Sequence, residues 1–194
     1  MSNDRDFLKN KKQTLEKLGQ AKKEKLVDLE IIPILDIINS FDNYYTSSSC
    51  YGRIVLLEIP RIGDKKNAKW LGKWHRTISP DEVLSSVKKA KKGQLWILAQ
   101  SLIIHIVAKT NNDAEEMLKT VISAGFKNSG VKSLGRKIVV EICSTERLDT
   151  PVGEDGRLLC SEDFLNLVVK IANDVIKRSS LKLEKLTNIL KKKI

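Results

Sequence analysis

Thr46-Ser-Ser-Ser-Cys-Tyr-Gly-Arg-Ile-Val-Leu-Leu-Glu-Ile59 decides how this chain is read, because its two halves pull in different directions. Arg53–Ile59 is apolar on both faces, the pattern of a strand in the middle of a covered sheet. The half before it packs small hydroxyls, a thiol and a glycine into the mouth of that strand, with Arg53 at the junction. A capped turn accounts for two such groups, not six. A nucleophile elbow needs flanking glycines that are absent here, and neither histidine is local. The reading that uses them all is a ligand-gripping loop: Ser48 and Ser49 as hydroxyls, Gly52 for close backbone approach, Arg53 for a carboxylate or phosphate.

Outward from this stretch, residues 4 to 25 space Phe7, Leu15 and Leu18 among charges as an amphipathic, basic helix. Asp28–Phe41 predicts a second helix, with Pro33 tolerable in its first turn or at a kink. A loop at 61–69 leads to a second strand in WLGKWHRTI. Ser79-Pro-Asp-Glu82 is a helix start: serine cap, proline in the first turn, acids at the positive end of the dipole. Gly93 closes that helix. Leu95–Ala108 reads as one long strand or a hairpin bent near Gln100-Ser101. Asn111 or Asn112 caps a helix through Ala124, ended by Gly125, and KIVVEICS is another buried strand. A long helix from Ser161 carries Leu165, Val169, Ala172 and Val175 on one stripe. No repeat or low-complexity linker divides the chain, so a single domain over 1–194 is expected, with basic helices at 1–26 and 161–194.

The 194 residues carry 35 Lys and Arg against 24 Asp and Glu, a net charge of +11. That balance points to an anionic partner, nucleic acid before membrane, or else to a lysine-rich solvated surface. No apolar stretch approaches the ~20 residues of a membrane span. The polar amino terminus is no signal peptide. Cys50, Cys143 and Cys160 are too widely spaced for a disulfide framework or a zinc motif, so no metal is expected and a cytoplasmic setting is. No GxGxxG follows a strand, so a doubly wound nucleotide fold has no support. GFKNSGVKS, Gly125–Ser133, nearly imitates a phosphate loop, but Val131 separates glycine from Lys132, and a helix precedes it. It is a helix end and turn, or a glycine-rich loop whose N–H groups approach a ligand.

DNYYTSSSCYGRI, WLGKWH, LIIHI, GFKNSGV and STERLDTPVG, in that order, resemble the tRNA wybutosine-synthesizing protein 3 family from about Val27 to Asn173. The family signature, Ser/Thr-x-Ser-Ser-Cys-x-Gly-Arg, is met by Thr46, Ser48, Ser49, Cys50, Gly52 and Arg53. The resemblance implies an α/β fold unlike the usual Rossmann-type methyltransferase sheet: one domain, a mixed, mainly antiparallel sheet flanked by helices. It implies an enzyme using S-adenosyl-L-methionine to methylate N4 of the tricyclic base beside the anticodon of tRNA(Phe), on the anticodon stem-loop; a monomer is expected. Asp42, eight residues before Cys50, matches the family's aspartate by position. Both histidines sit at family-like positions, with His75 favoured as the catalytic one. The implied catalytic set is Asp42, His75, Ser49 and Cys50. The implied cofactor set is Thr46, Ser48, Ser49, Gly52, Arg53, His105, Asn128 and Ser129. The competing expectation is a non-catalytic RNA-binding protein whose signature loop grips phosphates.

Overall fold

A computed structural model describes residues 2–64 and 66–193, and among them it shows two compact units, each an antiparallel sheet with helices. The chain passes from the first unit to the second at Tyr51–Gly52, back at Ser101–Leu102, and across again at Thr145–Glu146 and Ser179–Ser180.

The first unit contains helix α1 (Ser2–Lys23), α2 (Ile32–Ser40), strand β1 (Tyr44–Cys50), β5 (Ile103–Ala108), α4 (Asn111–Ser123), β6 (Gly130–Leu134), β7 (Ile138–Cys143) and the final stretch of α5 (Glu162–Lys191). Its sheet runs β1-β5-β7-β6, every ladder antiparallel. Successive strand side chains alternate faces, so Ile104, Ile106, Val140 and Ile142 share one. They pack against Ile34, Leu35 and Ile38 of α2, Met117 and Val121 of α4, and Leu183, Leu186 and Leu190 of α5. On the opposite face Phe7 of α1 meets Tyr45 and Val107. Each fully buried branched residue here contributes about 1.5–3 kcal/mol, and truncating Ile38 to alanine would cost about 2–5 kcal/mol with its cavity.

The second unit holds β2 (Arg53–Ile59), β3 (Lys69–Trp74), α3 (Pro80–Val87), β4 (Gln94–Gln100), β8 (Arg147–Glu154), the short β9 (Arg157–Leu158) and the first part of α5. Its sheet runs β3-β2-β4-β8-β9, again wholly antiparallel. Ile54, Leu56, Leu95, Ile97, Ala99 and Val152 face Val83 and Val87 of α3 and the stripe Leu165, Val168, Val169, Ala172, Val175 and Ile176 of α5.

The α/β class, the antiparallel pairing and the non-Rossmann topology agree with the sequence. Pro33 falls in the first turn of α2, and Ser79 makes the full capping box with Glu82. Several local readings change. The signature Tyr44–Cys50 is a strand rather than a loop, because its hydroxyls flank a ladder to β5 that satisfies the backbone. Leu95–Ala108 is neither one strand nor a hairpin: β4 pairs with β2 and β8, while β5 pairs with β1 and β7. Thr110, not Asn111 or Asn112, caps α4 through a box with Asp113. β6 and β8 are strands that polar composition concealed. Gly93, at φ +108°, needs its missing side chain: a Cβ there would stand 2.5 Å from the Ile59 carbonyl oxygen.

Candidate functional site

The signature strand is built around a bulge. Tyr45 pairs with Val107 and Thr46 with Ile106, after which the register slips and Ser48 pairs with His105, Ser49 with Ile104, Cys50 with Ile103. Ser47 is the extra residue. A one-residue slip moves everything beyond it to the other face. Without it Ser48 would share the buried face of Thr46; with it Ser48 stands opposite His105, and Cys50 shares that outer face. Ser49 lies over Ile104 on the helix side.

On the outer face a polar chain crosses three strands and reaches the fourth. Ser48 Oγ is 2.7 Å from His105 Nδ1, His105 Nε2 is 2.8 Å from Glu141 Oε2, and Lys132 Nζ is 2.8 Å from Glu141 Oε1. Burial pushes the Glu141 carboxyl up, but the bonds from Lys132 and His105 outweigh it and hold the group below its ordinary range. Lys132 is correspondingly held above its own, chiefly by its hydrogen bond to Glu141. An ionised Glu141 accepts from the Nε2–H of His105, and in the tautomer that carries its single proton there Nδ1 accepts from the Ser48 hydroxyl. The Ser48 oxygen is then left as an acceptor for a donor on a ligand.

A carboxylate closes the same end of the strand. Asp28, just ahead of α2, accepts the Tyr51 backbone N–H at 2.8 Å, and its carboxylate lies within 4.8 Å of the Cys50 sulfur. Asp42, by contrast, is exposed at the other end of β1, near Lys11 of α1. A seven-residue strand, spanning about 3.3 Å per residue, separates it from Cys50. The carboxylate beside Cys50 is therefore Asp28, and Asp42 stands at the opposite end of the strand.

The other expected residues divide. Thr46 is 4% exposed and tied to α2, its N–H donating to Asn39 Oδ1 at 2.8 Å and its Oγ accepting from Asn39 Nδ2 at 2.9 Å. It anchors the strand from the buried face. The Ser129 hydroxyl is spent on β7, accepting from Cys143 N at 3.1 Å and donating to Cys143 O at 3.3 Å, while Asn128 beside it is exposed. Gly52, at φ +107°, makes the left-handed turn that ends the signature. In the second unit, Arg53 donates Nε to Gln100 at 3.0 Å and lies 5.1 Å from the centre of the Trp70 ring, so its plane is set by that sheet. His75 follows β3, half-buried. Asp28, Glu141 and Lys132 escaped the sequence reading, although one signal existed: an acid amid the apolar run of IVVEIC, like the histidine in LIIHIVA, marks a strand face that is not core.

Hydroxyls, a thiol, carboxylates and an imidazole gathered at one sheet end suit a small zwitterionic ligand better than a buried nucleophile. Comparison with known proteins narrows the chemistry. Residues 9–192 match the family described as Methyltransferase TYW3. The chain belongs to this family. It is a methyltransferase, and its reaction requires a methyl donor. Among TYW3-type relatives, the tRNA(Phe) 7-((3-amino-3-carboxypropyl)-4-demethylwyosine(37)-N(4))-methyltransferase 1 of Pyrococcus furiosus is 50% identical over 182 residues, 93% of each chain. The Methanocaldococcus jannaschii enzyme of the same specificity is 43% identical over 175 residues, 89% of this chain and 91% of that one. The solved PH1069 protein of Pyrococcus horikoshii superposes with a TM-score of 0.93 at 47% identity, covering 98% of both chains. None of the described helices is long and apolar enough to cross a membrane.

Proposed function

We propose that the chain transfers the methyl group of S-adenosylmethionine to N4 of the demethylated tricyclic base at position 37 of tRNA(Phe). The observation that carries this reading is the extent of the likeness to the Pyrococcus furiosus enzyme, 50% identity across 93% of both chains, which includes the whole signature strand. On this reading residues 1–194 work as one methyltransferase domain, monomeric and cytoplasmic.

The donor set fits the cofactor. Ser48 offers an acceptor oxygen fixed by His105; Glu141 and Asp28 are ionisable acceptors for an ammonium or ribose hydroxyls; Asn128 and the Ser49 hydroxyl are small groups a ligand can approach. S-adenosylmethionine supplies a methyl on a sulfonium, open to in-line attack by a nitrogen lone pair. Positioning is then the larger part of what the protein contributes. The Glu141–His105–Ser48 chain locks one rotamer of each group before a ligand arrives. Asp28 fixes the backbone at Tyr51, and with it the Cys50 thiol beside it. Cys50 need not attack anything, since the acceptor nitrogen reaches the methyl directly. The proton leaving that nitrogen needs an acceptor, and His75 is assigned this role on its WLGKWH motif alone.

The test is direct. Purified protein, S-adenosylmethionine and tRNA(Phe) carrying the demethylated base are incubated, and the digested nucleosides are weighed by mass spectrometry. Gain of one methyl on the tricyclic nucleoside supports the reading. An unchanged nucleoside, with the Pyrococcus furiosus enzyme active in parallel, sinks it.

A further inference from the structure

The second unit's sheet leaves its outer face without a helix of that unit, and the face is not polar. Leu57 pairs with Trp70 on one side and Trp96 on the other, and Trp96 with Pro151, so two tryptophans flank a leucine on one cross-strand row. The next row places Val55 beside Lys73 and Leu98, with Asp149 beyond. The last row is Arg53, Gln100 and Arg147. With Ile62 and Asp64 of the β2–β3 loop as a wall, these residues, Lys73 and Pro151 apart, line a groove of about 510 Å³. Trp70 is 51% exposed and Ile62 74%. Apolar surface of this extent, rimmed by charge, marks a binding face.

The charge decides what it binds. The Arg53 guanidinium and the Lys73 ammonium both lie over the Trp70 ring, 5.1 and 5.9 Å from its centre. The acids of the groove are already engaged: Asp149 with Arg147 at 2.5 Å, Asp64 with Asn67 at 3.0 Å. An aromatic ring carrying two cations is the arrangement that stacks an unpaired base while pairing its phosphate, and a chain of net charge +11 favours a polyanion over an apolar peptide. A base entering beside Trp70 trades an exposed cation–π contact for stacking and frees the cations for phosphate. The Gln100 side-chain amide offers a hydrogen-bond partner to the base edge.

We propose that this groove holds one unpaired base of the RNA substrate, stacked on Trp70, with Arg53 and Lys73 on its flanking phosphate; this rests on the tRNA reading above. Binding is measured with a short single-stranded RNA of the anticodon-loop sequence, for wild type, Trp70→Ala and Trp70→Phe, at several salt concentrations. Loss of one stacked base should weaken Trp70→Ala by about 5- to 100-fold. Trp70→Phe should recover most of that, and the salt slope should stay unchanged, because stacking releases no counterions. An affinity of Trp70→Ala within about twofold of wild type would overturn the proposal, that being well short of one stacked base. So would weakened S-adenosylmethionine binding with RNA binding intact, which would make the occupant the cofactor's adenine. Should Trp70→Ala unfold, a protein with Trp74→Phe and Trp96→Phe leaves Trp70 as the sole tryptophan, and absence of RNA-dependent quenching of its emission overturns the proposal. Wild-type protein that binds this RNA through Trp70 yet methylates no tRNA(Phe) leaves the groove standing and removes the reaction; methylation with an indifferent Trp70 does the reverse.

Discussion

The two sheets share a plan and differ on one face. Each buries alternate strand residues under helices, Ile104 and Ile142 in the first unit, Leu56 and Ile97 in the second. The residues between them are released from core duty, and there the units part. The first unit's outer face bears Ser48, His105 and Glu141, joined to Lys132 by hydrogen bonds of 2.7–2.8 Å. The second unit's bears Trp70, Leu57, Trp96 and Leu98 under a rim of arginine and lysine. Period-two alternation therefore lets one folding pattern carry a polar chain on one outer face and an aromatic floor on the other without cost to either core, and the readings proposed above give the first to a small zwitterion and the second to a base.

The strongest test of that division concerns the two imidazoles. His75→Ala, in the second unit, should lower kcat by about 10²- to 10⁴-fold if it takes the proton, with RNA affinity unchanged. His105→Ala should act on cofactor KM rather than kcat, because the ring orients Ser48 and not the reacting nitrogen. Steady-state kinetics with each substrate varied in turn separates them. A dead His105→Ala beside a fully active His75→Ala would exchange the roles and place proton handling on the polar face.

Next in size is the electrostatic footprint. Lys88, Lys89, Lys91 and Lys92 follow α3 in the second unit and are all exposed. Reversing the four to glutamate should weaken tRNA binding steeply and reduce its salt slope by somewhat under one unit for each true phosphate contact, with cofactor affinity held. Reversal of Lys11 and Lys12 in α1 is the counterpart in the first unit. If only that pair moves the slope, the polyanion lies on the first unit and the division of labour is broken.

Much of this was legible in the residues and some was not. The helices with explicit caps, such as Ser79–Glu82, could be read because a cap is local chemistry. The apolar strands β2 and β7 could be read because a buried strand writes its burial into every position. Strand β1 could not, since a serine row looks like a loop until the ladder with β5 supplies its backbone partners. The bulge at Ser47 is equally silent in sequence, yet it decides that Ser48 and not Ser47 stands opposite His105. Spacing in the chain is no guide to nearness at Asp42: eight residues from Cys50 is near in a loop and far along an extended strand. Asp28, 22 residues before Cys50 in number (50 − 28), is the near carboxylate in space. The roles of Arg53 and Trp70 needed β2–β3 pairing, which no local pattern encodes.

A smaller effect, on binding alone, sharpens the polar side. Ser48→Ala removes the acceptor fixed by His105 and should weaken S-adenosylmethionine binding by about 1 kcal/mol, roughly fivefold, as for an ordinary hydrogen bond. Thr46→Ser, which keeps the hydroxyl bonded to Asn39, should leave that affinity unchanged. Calorimetry reads both. Equal losses from both changes would mean that Thr46 does face the ligand and that the bulge does not sort the signature as described.

The last prediction compares one carboxylate from each unit through pH. Glu58 is 2% exposed; burial pushes its carboxyl up, but Lys69 Nζ at 2.8 Å and the backbone N–H groups of Lys91 and Lys92 prevail and hold it below 4.5. Glu141 is likewise depressed, by Lys132 and His105 against burial. A depressed carboxyl contributes stability that is present above the unfolded pKa and is lost as pH falls through the folded one. Both groups should therefore stabilise at neutral pH and cease to do so in acid below about 4.5, the reference value for a glutamate. The sizes should differ. Glu58→Ala strands two backbone donors that close the α3–β4 turn, costing about 1–3 kcal/mol for each that water cannot reach. Glu141→Gln keeps an acceptor for partners that are partly in water, Lys132 being 57% exposed, and should cost below about 1 kcal/mol. Melting curves of the two variants and wild type at neutral pH and near pH 3 read the difference: wide separation for Glu58→Ala at neutrality, narrowing in acid, and a slight one for Glu141→Gln throughout. A large neutral-pH loss for Glu141→Gln would make the Ser48–His105–Glu141 chain a structural strut, and its claim to grip a ligand would fall with it.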